Sequence, residues 1–306
     1  MALAWVDIRT PLPTEPLGLL TGYREVVVEV ADAARAERFY ADLLGCTRDG
    51  ATANGPRLRI GPGQHLVLAE RATPHTLPAS GAHQAYRFPV DELATVAGRL
   101  ETAGMAVLRY HEDRPAERDA NYYCADPDGN RVQLVAGAAR GIDHAAVETY
   151  DLEWAEVFYT QVLGAQVESR VGWHMDDYAR AVVWGNGEDD CAPGTRRWDK
   201  PYTADIAAGA LPRPNPQLFA QFAPGVVLGV YLATEHRQEP PPDQFVGTPR
   251  LGFRVGAGRL AEAEQRLREI RLRCMEPSDR SGGPFERVGD SLFIRDPSGN
   301  FLELSE

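Results

Sequence analysis

Two polar side chains stand at the same place in a stretch that occurs twice. Asp126-Pro-Asp-Gly-Asn-Arg-Val-Gln133 and Asp296-Pro-Ser-Gly-Asn-Phe-Leu-Glu303 each pair a turn with a return strand. Pro fixes φ in such a turn, and Gly and Asn tolerate left-handed geometry. A return strand that carries one inward polar residue, Gln133 in one copy and Glu303 in the other, is a place to build a site. His83 and His144 stand near the starts of two further strands. Imidazole and carboxylate can ligate metals or move protons near neutral pH. Each residue also has a plainer reading: His83 and His144 as half-buried filler, Glu303 as an exposed carboxylate, Tyr122 and Tyr123 as strand core or cross-strand partners.

The elements that must position these residues repeat as well. Tyr23–Val30 alternates as a strand, Asp32 stands as N-cap, and the helix Ala33–Leu44 stops at Gly45. His83–Phe88 starts a second strand–helix pair, with helix Asp91–Ala103 and a stop at Gly104. Ile142–Val147 and the cap Asp151 restart the plan. Phe158-Tyr159…Leu163-Gly164 mirrors Phe39-Tyr40…Leu44-Gly45, an offset of 119 residues (158 − 39). Arg250–Val255 mirrors His83–Phe88 at an offset of 167 (250 − 83), so the third module carries about 48 extra residues (167 − 119). They fall within roughly 172–224, rich in Trp, Pro, Gly and Asp. An irregular insertion of this length inside a repeat is functional, disordered or an interface. Trp173, His174, Trp184 and Trp198 gather there, as a packed cap or as an aromatic wall for a planar ligand.

Composition narrows the class. A net charge of −12 argues against nucleic acid, which needs a basic footprint. No stretch reaches the ~20 apolar residues of a membrane span, and no basic segment precedes a long apolar run at the N-terminus. Cys46, Cys124, Cys191 and Cys274 are scattered without a CxxC pair, which suits a reducing cytoplasm. Gly185-Asn-Gly187 lacks the strand-to-helix context of a phosphate loop.

Four strand–helix–strands modules, with Phe-Tyr…Leu-Gly closing the first helix and Asp-Pro-x-Gly-Asn before the last strand, resemble the vicinal oxygen chelate superfamily. That group holds glyoxalases, bleomycin- and fosfomycin-resistance proteins and type I extradiol dioxygenases. The resemblance covers residues 22–306 apart from the insertion, and the segment Gly289–Asn300 looks most like the dioxygenase branch. It implies an α+β fold of tandem βαβββ modules paired into two half-open barrels. The expected layout is a lead-in over 1–21, a first unit over 22–138 (modules 22–70 and 82–138) and a second over 139–306 (modules 141–236, with the insertion, and 248–306).

The resemblance also implies metal ligands on the first and last strands of each module. Those positions hold Glu25, His83 and Gln133 in the first half, and His144, Arg250 and Glu303 in the second. An extradiol site takes two His and one carboxylate, which neither half supplies alone. Arg250 cannot ligate a metal and would rather pair with Glu303. Some relatives, glyoxalases among them, join the first module to the fourth and the second to the third. That would gather His83, Gln133 and His144 in one pocket, and Glu25, Arg250 and Glu303 in the other. Extradiol relatives also carry a Tyr ten residues before the ligand Glu, a place taken here by Phe293 and, before Gln133, by Tyr123. A tyrosine hydroxyl can orient or deprotonate a phenolic substrate, which Phe cannot.

The candidate set is therefore His83, His144, Glu303 and Gln133 for a metal, Tyr123 and His174 for catalysis, and Trp173, Trp184, Tyr231 and Arg250 for the substrate pocket. The cofactor would be a divalent Fe, Mn or Zn, or none. The expected partner is a small, aromatic or oxygenated molecule, with a homodimer as the assembly. Three functions remain open: a metal-dependent dioxygenase or lyase, a metal-free drug-sequestering binder, and a metal-independent isomerase or cyclase.

Overall fold

The alternation of Val26, Val28 and Val30 with Glu25, Val27 and Glu29 makes the first strand two-faced, and the same period runs through every module. The computed structural model describes residues 12–13, 15–76, 82–110, 121–149, 151–171, 217–232, 247–270 and 285–306. The first module is β1 (Leu20–Val30), α1 (Ala33–Arg38), β2 (Thr47–Thr52), β3 (Gly55–Gly61) and β4 (Gln64–Glu70). The second is β5 (His83–Pro89), α2 (Val90–Thr102), β6 (Leu108–Tyr110), β7 (Asn121–Ala125) and β8 (Arg131–Gly137). The third is β9 (Gly141–Thr149), α3 (Leu152–Val157), β10 (Gln166–Val171), β11 (Gln217–Ala223) and β12 (Val226–Leu232). The fourth is β13 (Arg250–Val255), α4 (Leu260–Ile270), β14 (Phe285–Val288), β15 (Ser291–Arg295) and β16 (Phe301–Ser305). Strand β11 is regular, so the order of the third module resumes at Gln217, ahead of residue 224.

Asp32 and Asp151 cap their helices as expected, their carboxylates accepting from the backbone N–H of Arg35 and Trp154. Both helices then widen into a π-turn, Phe39–Leu43 and Phe158–Val162, before Gly45 and Gly164 at positive φ. The wider turn buries the two aromatic rings of each copy together.

The strands form two eight-stranded sheets. One runs β14-β15-β16-β13-β1-β4-β3-β2 and the other β10-β11-β12-β9-β5-β8-β7-β6. The first module thus shares a sheet with the fourth, and the second with the third. The central seams are antiparallel, β1 with β13 and β5 with β9.

Consecutive modules are fastened differently, by the two repeated motifs themselves. Tyr40 donates to Asp126 at 3.0 Å, and Tyr159 to Asp296 at 2.7 Å. The turn asparagines reach across in the same way, Asn130 to the carbonyl of Glu29 and Asn300 to that of Glu148. Burial pushes the Asp126 carboxyl up, against the pull of the Asn130 and Tyr40 bonds. One apolar core, including Val26, Val28, Tyr86, Leu134, Val230 and Phe253, spans both sheets and the helices. Tyr23 of β1 crosses it, donating to the carbonyl of Val227 at 2.6 Å and accepting from the N–H of Ala145. The other face of each sheet is left for polar side chains, since residues i and i+2 of a strand share a face.

Candidate active site

On the second sheet, Leu218, Val230, Val147, Tyr86, Leu134 and Cys124 point into the core, so their sequence neighbours face the opposite way. In register on that opposite face, Ala85 lies beside both His144 and Gln133, and Gln133 beside Tyr123. His83 is two residues before Ala85, beside Ala146. The outcome is a cluster: His83 Nε2 is 3.0 Å from His144 Nε2, and the His83 ring lies 6.0 Å from that of Tyr123 and 5.7 Å from that of Tyr231. His83 and Gln133 are buried.

His144 is held from behind. Its Nδ1 is 2.9 Å from Asp143 Oδ2, while Arg87 binds the other oxygen of that carboxylate at 2.8 and 2.9 Å. Burial pushes the Asp143 carboxyl up, but the bonds and charge of His144 and Arg87 outweigh it and hold it below its ordinary value. An ionised Asp143 keeps the proton on Nδ1, so Nε2 of a neutral His144 presents its lone pair to His83. Two lone pairs cannot face each other at 3.0 Å, so either His83 donates its Nε2–H to His144 or a cation lies between the two nitrogens.

Gln133, separated from His144 by Ala85 in register, is the third candidate donor. Its Oε1 is buried with no hydrogen-bond partner, a state that costs about 1–3 kcal/mol in an apolar setting. Two imidazoles and an amide oxygen suit a divalent transition metal, and cis ligands at ~2.1 Å from one ion sit about 3 Å apart. A carboxylate orienting a ligating histidine is the usual support of such a site. The residues therefore fit a divalent ion. Among the described residues there is no cluster of three or more His, Cys, Asp and Glu side chains that could hold one; this site reaches three donors only through the amide.

Glu303 departs from that set. It lies on the other sheet, where Arg250 donates from Nε to Glu303 at 2.6 Å and from Nη2 to Glu25 at 2.7 Å. Ser291 donates to the remaining Glu303 oxygen at 2.5 Å, and the guanidinium lies 5.3 Å from the Phe293 ring centre. Burial pushes the Glu303 carboxyl up, but Arg250 and Ser291 outweigh it and hold it low. Burial and the charge of Glu303 push Glu25 above its ordinary range, against the pull of Arg250. This face carries its own cation. Arg250 and His83 both line a cavity of about 110 Å³ at the junction of the two sheets.

Trp173, His174 and Trp184 lie outside the described residues. Tyr231 stands on the His83 face, paired in register with Gln217 and Glu148. Asp143, Arg87, Gln217 and Phe219 escaped the sequence reading. Asp143 was signalled by its place directly before His144, whereas Gln217 and Phe219 were hidden in the assumed insertion. Cys124 is buried, and that burial pushes its thiol up to about 12, which suits no nucleophile.

Residues 23–134 match the family described as the Glyoxalase/Bleomycin resistance protein/Dioxygenase superfamily. The glutathione transferase FosA of Serratia marcescens is 24% identical over 122 residues, 39% of this chain and 84% of that protein. Among solved structures, a candidate dioxygenase of Bacillus subtilis aligns over 94% of this chain and 85% of its own, at TM-score 0.57 and 14% identity. Glyoxalase I of Zea mays aligns over 92% and 91%, at TM-score 0.55 and 14% identity. At such identities the two structures speak for the fold.

Proposed function

We propose that this chain, whose residues 23–134 match the Glyoxalase/Bleomycin resistance protein/Dioxygenase superfamily, is a metal-dependent enzyme for a small oxygenated, aromatic compound held through neighbouring oxygens at His83 and His144. The observation that carries this reading is the 3.0 Å contact between the two Nε2 atoms, with His144 oriented by Asp143. His83, His144 and Gln133 would hold a divalent ion. When bound, such an ion polarises ligand oxygens and lowers their pKa.

The protein's own side chains supply the rest. Asp143 and Arg87 fix the ring of His144, so its donor atom is in place before any ligand arrives. Tyr123, the cross-strand neighbour of Gln133, offers a hydroxyl that holds or passes a proton at a ligand oxygen. Tyr231, whose ring lies 5.7 Å from that of His83, would shield the site from water together with Phe219. A neutral amide at Gln133 cancels no cation charge, unlike the carboxylate of a dioxygenase triad. That difference favours proton-transfer chemistry of the isomerase or lyase kind over dioxygen activation.

The same 3.0 Å contact also supports a second reading, a metal-free binding pocket in which one proton is shared between the rings. Turnover and binding of catechols and α-hydroxyketones, measured with and without chelator, separate the two. Loss of both on chelation, and in His144→Ala, is expected of the enzyme. Ligand binding that persists unchanged in chelator overturns the metal-dependent reading.

A further inference from the structure

A second buried amide lies on the His83 face, away from the histidines. Gln217 begins β11 and is only 7% exposed, yet its Oε1 is buried with no hydrogen-bond partner. Leu218 and Ala220 are in the core, so Gln217 and Phe219 occupy the opposite face with Tyr231 and Gly229, their partners in register. A side chain at 229 would be crowded. A Cβ there would lie 3.2 Å from Tyr231 Cε2, 3.3 Å from Ala146 Cβ and 3.5 Å from Phe219 Cε1. Two aromatic rings thus converge over bare backbone, with an unused carboxamide at their edge. Between β11 and β5 lie β12 and β9. Three strand spacings of ~4.8 Å and an offset of two residues along the strands put Gln217 about 16 Å from His83 across a flat sheet, and less across a curled one.

We propose that Gln217 is a specificity-determining residue, which binds the distal hydrogen-bonding group of a planar ligand of two or more rings whose vicinal oxygens lie at His83 and His144. This rests on the reading of that face as the active site. The rings of Phe219 and Tyr231 stack on the flat body of the ligand. The carboxamide of Gln217 accepts from, and donates to, a neutral group such as a carboxamide or hydroxyl. An anionic group would leave Oε1 unpaired and gains nothing from it. A buried amide kept without a partner costs stability, so its retention points to a bound state that uses it.

The test uses 2,3-dihydroxynaphthalene and its 6-carboxamide as probes, with dissociation constants from titration calorimetry on the full chain. Wild type is expected to bind the carboxamide about tenfold more tightly, the value of one buried hydrogen bond. Gln217→Leu should bring the ratio to about one and leave the affinity for the parent compound within about twofold. Its melting temperature should rise by a few degrees, because the unpaired oxygen is gone; a merely structural amide would lower it. His83→Ala should weaken both probes equally. Equal binding of both probes by wild type, a preference that survives Gln217→Leu, or no binding of either probe overturns the inference. If Gln217→Leu abolishes the preference while His83→Ala changes neither affinity, Gln217 keeps its role toward the distal group, and the placement of the vicinal oxygens at His83 is overturned together with the metal-site reading.

Discussion

The two sheets present the same backbone positions with opposite chemistry. Where the second sheet has His83, His144, Gln133 and Tyr123, the first has Arg250, Glu25, Glu303 and Phe293. The correspondence follows the registers: Gly252 beside Glu303 and Glu303 beside Phe293 on one sheet, Ala85 beside Gln133 and Gln133 beside Tyr123 on the other. On the first sheet a guanidinium fills the centre and binds both carboxylates. On the second, two imidazoles meet and an amide oxygen is left without a partner. The first arrangement is complete in itself; the second leaves the Gln133 oxygen to be satisfied. The two faces thus differ as one self-neutralised charge cluster and one histidine cluster with an unpartnered amide oxygen.

The largest expected effect breaks the first face. Arg250→Met leaves Glu25 and Glu303 buried without their cation and should destabilise the fold by about 3–5 kcal/mol in urea denaturation. Its pH dependence has a definite sign. In the wild type the Glu303 carboxyl is held low, so its contribution is present above the unfolded value near 4.3 and is lost as pH falls through the folded one. In Arg250→Met both carboxyls shift upward, the fold then binds more protons than the unfolded chain, and the deficit should shrink on acidification from pH 7 to pH 5. A deficit independent of pH would refute the charge account.

Next in size is the tyrosine that only one face possesses. Tyr123→Phe should lower kcat about 100-fold with stability nearly unchanged, while Phe293→Tyr should leave kcat within about twofold. Equal losses from both changes would mean that both faces work. The smallest effects concern what the faces share. Tyr40→Phe and Tyr159→Phe each remove the phenol donor from a buried aspartate, and each should cost about 1–3 kcal/mol by thermal denaturation. Unequal costs would show that the two fastenings, alike in geometry, differ in strength.

Much of this was legible in the sequence because turn chemistry, caps and strand alternation are local. The turns at Asp126 and Asp296 and the caps Asp32 and Asp151 read correctly from local sequence. Module pairing was not local, since nothing within β1 tells which seam it joins. The charges offered a clue, because a buried Arg250 demands carboxylates and a single pairing gives it two. Gln217 and Phe219 were missed because repeat register was lost across residues 172–216, and an isolated Gln carries no motif.

The central claim is the inequality of the two faces, and metal stoichiometry tests it most directly. Protein purified without a chelating tag, reconstituted with Zn²⁺, Mn²⁺ or Fe²⁺ and then desalted, should retain about one equivalent of one of these ions. That equivalent should vanish in His83→Ala and persist in Glu303→Gln. Metal that survives His83→Ala, disappears in Glu303→Gln, or fails to bind the wild type would contradict the account.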